Sequence, residues 1–74
     1  MKSKYVILDS GPIVFSEMLQ HADVARALGT EVYGAGFCCI VDDKYVCYGE
    51  SISLKMKADP EKDSAKLNRF LGDY

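Results

Sequence analysis

What this chain lacks sorts it first. Tryptophan is absent, proline occurs twice and histidine once. No apolar run approaches the length needed to span a bilayer. The opening MKSKYVILDSGP carries two lysines, but its apolar stretch, Tyr5–Leu8, stops at Asp9 and is too short for a signal-peptide core. A cytoplasmic protein without membrane contact is the expectation. Basic excess is missing too, since nine Lys and Arg stand against eleven Asp and Glu, a net charge of −2. Nucleic-acid binders draw most of their affinity from neutralising phosphates, so that class is disfavoured. A weak contact through Lys55 and Lys57 is its one remaining form.

Ligand-binding signatures are equally scarce. GAG at Gly34–Gly36 precedes a strand rather than a helix, the wrong context for a phosphate or dinucleotide loop. Asp9, Asp42, Asp43 and Glu50 are too scattered for a calcium loop. DSG at Asp9–Gly11 lacks the pattern of a nucleophile motif and reads as a turn. No cofactor is expected.

What is present fits one small α+β domain over residues 1–74, in the order ββαβββα, an antiparallel sheet with two helices packed on it. A chain of this size buries only about 60–65% of its unfolded surface, so supplementary stabilisation is expected. KYVIL (Lys4–Leu8), a DSGP turn and IVF (Ile13–Phe15) read as a first hairpin. Leu19, His21, Val24, Ala25 and Leu28 recur at helical spacing, and Gly29 supplies the stop; the helix starts between Glu17 and His21. EVYGAGFCCIV and KYVCYG flank Asp42–Asp43 as a second hairpin. Gly34 and Gly36 in its first arm imply a bulge or the close approach of another backbone. SISLKMKA alternates and reads as a strand, with Ile52, Leu54, Met56 and Ala58 inward. In DPEKDSAKLNRFLG, Asp59 is the N-cap, Pro60 the first helical residue and Leu67, Phe70 and Leu71 the buried stripe.

All three cysteines fall in FCCIVDDKYVCYGES. The odd count excludes a complete disulfide framework, and a reducing compartment keeps thiols free. A two-residue loop at Asp42–Asp43 sets Cys38 opposite Cys47; an odd loop sets Cys39 there instead. Adjacent Cys38 and Cys39 point to opposite faces of a strand and cannot readily share an ion, so no metal site is expected. Packing as small hydrophobes is the leading reading of the thiols. Its competitor is a thiol-dependent protein using Cys38, Cys39 or Cys47, with His21 as base.

That packing has a corollary. Phe37, Cys39, Val41, Val46 and Tyr48 share one face of the hairpin, and Cys38, Ile40, Tyr45 and Cys47 share the other. One apolar face then needs cover from a second helix or from another protein. Tyr5, Tyr33, Tyr45, Tyr48 and Tyr74 add surface of the kind enriched at interfaces. The expected interface comprises Ile40, Tyr45, Cys47 and Tyr48, with Glu50 and Ser51 in the YGES turn as a candidate recognition element. His21 is read as structural.

QHADVARALG, GAGFCCI, CYGESISL and DPEKDSAKLNRFL together resemble small uncharacterised proteins of phages and prophages. The resemblance implies an accessory protein and assigns no residue a role. The combined expectation is a non-enzymatic interaction module that self-associates through a sheet face and binds an unknown protein partner.

Overall fold

The computed structural model describes residues 2–72, so Tyr74 lies outside the described residues. Among these the order is β1 (Ser3–Leu8), β2 (Gly11–Ser16), α1 (His21–Leu28), β3 (Gly34–Val41), β4 (Lys44–Tyr48), β5 (Glu50–Ser51), β6 (Met56–Lys57) and α2 (Pro60–Phe70). Strands β2-β1-β3-β4 form one antiparallel sheet, and β5 and β6 form a small second pair. The α+β architecture matches the sequence pattern.

The apex of the β3–β4 hairpin decides its register. Asp42 and Asp43 both take left-handed backbone angles (φ 51 and 64), the geometry of a tight two-residue turn. Short polar side chains tolerate this region better than most. Val41 therefore pairs with Lys44, Ile40 with Tyr45, and Cys38 with Cys47.

One predicted strand is absent. Where Ser51–Ala58 was expected to run straight, Glu50 pairs with Lys57 and Ser51 with Met56, and the chain reverses between them. Lys55 sits at φ 56, its N–H bonds the Ile52 carbonyl at 3.2 Å, and the Leu54 N–H bonds Ser51 Oγ at 3.2 Å. A tight turn whose inner side holds Leu54 and Met56 produces the same alternation as a strand. Ile52, expected inside, is 83% exposed.

The two sheet faces carry separate cores. On one, Tyr5, Ile7, Cys38 and Cys47 pack under Leu67 of α2. On the other, Val6, Leu8 and Ala35 meet Val24 of α1 together with Leu54 and Met56. The close approach expected at the glycines is real. A Cβ on Gly36 would stand 2.9 Å from that of Ala58 and 3.0 Å from the Tyr48 carbonyl oxygen.

Helix α2 starts as its sequence dictates, with Pro60 first and Asp59 Oδ1 accepting from the Lys62 N–H at 3.1 Å. Its inner surface differs from the expected stripe. Leu67 is buried, but Phe70 and Leu71 are largely exposed, and Asp63 is buried in their stead. The reason lies in β4, an edge strand whose outward backbone groups need partners. Asn68 Oδ1 accepts from the Tyr45 N–H (2.7 Å), its Nδ2 donates to the Tyr45 carbonyl (3.0 Å), and Ser64 Oγ accepts from the Cys47 N–H (2.8 Å). Helix α1 ends at Gly29 in the left-handed region, as expected. Gln20 gives it no side-chain cap; Ser53 Oγ accepts from the Ala22 N–H at 3.1 Å. Leu19 precedes the helix, and Leu28 is partly exposed.

Candidate interaction surface and the thiol cluster

The three thiols occupy two environments. Cys38 and Cys47 face each other across β3 and β4 in the core beneath α2, while Cys39 is half-buried on the opposite face. Burial, reinforced by the neighbouring thiols, pushes Cys38 up to about 12. Cys47 is also raised, by burial above all, although hydrogen bonds from Ser64 and Tyr5 oppose the shift. Thiolate is the nucleophilic form, so both buried sulfurs are held in their unreactive state at neutral pH.

Tyr5 lies at the centre of this layer. Its hydroxyl donates to Asp63 Oδ2, which also accepts from the Asp59 N–H at 3.0 Å. Burial, then the Asp63 carboxylate, raises the phenol well above its ordinary value. Tyr5, expected from its residue type at an interface, is fully buried and is a core residue. Asp63 gave no pattern signal, because an acid in the first helical turn reads as a dipole partner.

His21 opens α1 and is buried. Its Nε2 bonds the Gly36 carbonyl at 2.8 Å, and the rings of Phe15 and Phe37 stand edge-on at 5.6 and 6.0 Å. Burial lowers its pKa below the usual 6.5, partly offset by the Gly36 bond. A neutral ring committed to a backbone carbonyl between two phenylalanines is a packing histidine in this geometry. Among the described residues, the hydrogen bond of His21 goes to Gly36 and not to a thiol.

Other sequence-predicted positions separate in the same way. Ser51 is buried, with Oγ serving Leu54 and lying 3.5 Å from Ser53 Oγ, so of the YGES pair only Glu50 faces solvent. Lys57 stands directly opposite Glu50 in the β5–β6 pair, and Lys55 lies in the turn rather than beside it on a strand. Among the described residues, no helix is long and apolar enough to cross a membrane, and no three His, Cys, Asp or Glu gather as a metal site.

The expected interface divides as well. Cys47 is buried and Tyr45 is half-covered, but Ile40 and Tyr48 are exposed, together with Val41 and Val46. Topology explains this. Cys38 pairs with Ser3, the first residue of β1, while β3 continues to Val41. The hairpin end therefore overhangs the sheet, with Val41 and Val46 on one side and Ile40 and Tyr45 on the other. Below the latter pair a hollow of about 200 Å³ is lined by Ser3, Val14 and Cys38. Nearer the sheet, Phe37 stacks on Tyr48 at 6.1 Å, and Lys2 Nζ lies 4.6 Å above the Phe37 ring.

A second exposed feature had no sequence signal. A groove of about 340 Å³ runs between the β1–β2 turn and the last turns of α2, with Ile7, Leu8, Pro12 and Phe70 as its apolar lining and Asp9, Lys66 and Arg69 at its rim. Its parts come from opposite ends of the chain, so no local pattern announces it.

Comparison with protein-family models, curated proteins and solved structures found no match. The functional reading accordingly rests on the chain's own geometry.

Proposed function

We propose that this protein is a non-enzymatic interaction module that self-associates through the overhanging end of its β3–β4 hairpin. The carrying observation is the exposure of Ile40 (58%), Val41 (50%) and Val46 (39%) on two paired strands that β1 does not accompany to their apex. A two-stranded ribbon is marginal in water unless a further layer covers it, and contiguous apolar surface marks contact sites. Two further observations favour binding over catalysis. The two buried thiols are held protonated, and His21 is committed to Gly36. The resemblance to phage and prophage proteins suggests an accessory role as the setting. Sedimentation across a concentration series tests the reading. Concentration-dependent association that Val46→Glu weakens is expected; a strict monomer at millimolar concentration sinks it.

A further inference from the structure

We propose that Cys38 and Cys47 form an oxidation site, at which a hydroperoxide converts the two thiols into a disulfide tying β3 to β4 at the base of the overhanging hairpin. The site does not depend on self-association.

Its geometry follows from the register. Cys38 lies directly opposite Cys47, and both side chains enter the same core. Antiparallel partners alternate between hydrogen-bonded and non-hydrogen-bonded pairs. The Tyr45 and Cys47 N–H groups point away from β3, to Asn68 Oδ1 at 2.7 Å and Ser64 Oγ at 2.8 Å. Cys38 and Cys47 are therefore a non-hydrogen-bonded pair, whose Cα atoms stand about 4.5 Å apart. Disulfides span Cα separations of about 4.4–6.8 Å, so the two sulfurs are within bonding reach. Cys39 is left out, because it stands opposite Val46 on the other face of the hairpin.

One of the two thiols has a route to solvent. Cys38 lines the hollow of about 200 Å³ together with Ser3, Val14, Ile40 and Tyr45, and Cys47 does not. Hydrogen peroxide is little larger than water and fits that space. Cys38 therefore meets the oxidant and Cys47 resolves the product. In the first step the peroxide O–O bond breaks, oxygen joins Cys38 Sγ as a sulfenic acid, and the thiol proton leaves with the other oxygen as water. In the second, Cys47 Sγ displaces that hydroxyl, the S–S bond forms, and the Cys47 proton leaves with it as a second water. Two thiols thus give two electrons to one peroxide. Burial slows the first step by holding Cys38 as the thiol, while the second is intramolecular. Alkylation has to fit an added group into a packed core, whereas the disulfide adds no atom.

The test exposes folded, full-length Cys39→Ser to hydrogen peroxide without denaturant, then quenches, unfolds and alkylates it. Far-UV circular dichroism verifies folding, and wild type treated alike is the second sample. The expected product is a single chain lighter by about 2 Da that takes up no alkyl group. Cleavage after Lys44 should leave the Cys38 and Cys47 peptides joined in both proteins, until dithiothreitol separates them. Two alkylated thiols after exposure, sulfinic acid at Cys38, or a disulfide between two Cys39→Ser chains overturns the proposal. Sedimentation reads self-association separately, so a monomer leaves this site standing and free thiols leave the interface reading standing.

Discussion

The hydroxyl of Tyr5 donates to the carboxylate of Asp63, joining the first strand to the last helix across 58 positions of sequence. Asp63 in turn accepts the Asp59 N–H, so one buried acid orients both the sheet core and the start of α2. Tyr5→Phe removes the donor and leaves a buried carboxylate short of a partner. The expected loss is about 1–3 kcal/mol, since the unmatched group keeps its desolvation penalty. In a domain of this size that lowers Tm by roughly 4–8 °C per kcal/mol. Thermal unfolding of Tyr5→Phe at wild-type Tm would show that the contact carries no such energy.

Thiol modification should follow burial. At neutral pH Cys39 is expected to react first with a small alkylating agent, and Cys38 and Cys47 only on unfolding. With its pKa pushed up to about 12, Cys38 is held as the thiol at pH 7. Peptide mass analysis after timed labelling reads the order. Native Cys47 labelled as fast as Cys39 would reopen the thiol-dependent reading.

These contacts mark where sequence reasoning reaches its limit. Asp59, Pro60 and Gly29 announce helix ends through their own backbone chemistry, and both main hairpins follow from short apolar runs around polar turns. The register at Asp42–Asp43 stayed open because it depends on whether two aspartates accept left-handed angles, which neighbouring residues do not reveal. Ser51–Ala58 misled because alternating apolarity is common to strands and tight two-sided turns. Asp63, Ser64 and Asn68 look like solvated helix positions until the edge of β4 is set beside them. Likewise, the groove joins Pro12 to Phe70, which only tertiary structure makes neighbours.

Edge protection by α2 has a measurable signature. Ser64→Ala and Asn68→Ala each remove acceptors for the β4 backbone and should cost about 1–2 kcal/mol. Hydrogen exchange at the Tyr45 and Cys47 amides should accelerate with them. Unchanged protection at both amides would mean that these side chains are incidental.

Acid should weaken the fold through His21. Its folded pKa lies below 6.5, so the unfolded chain binds the proton first. Stability is complete above about 6.5 and declines as pH falls from there towards the lowered folded value. His21→Gln should lower the plateau and flatten that slope, as read by urea midpoints between pH 7.5 and roughly 5. A slope identical in both proteins assigns the acid sensitivity elsewhere.

Gly36→Ala tests the tightest packing in the sheet. The added methyl would lie 2.9 Å from Ala58 Cβ, an overlap expected to cost about 1–3 kcal/mol. Combining it with Ala58→Gly should return part of that loss, although the Tyr48 carbonyl at 3.0 Å still crowds the site. Strict additivity of the two substitutions would place the strain away from this contact.

The cap on α1 comes from far along the chain. Ser53, which receives the Ala22 N–H, lies 31 residues downstream, beyond strands β3, β4 and β5. The first helix therefore draws the partner for its leading N–H from the β5–β6 turn rather than from its own flanking residues. In this protein a helix boundary is a tertiary event: the leading end of α1 is completed by a side chain that only the folded β5–β6 turn brings to it.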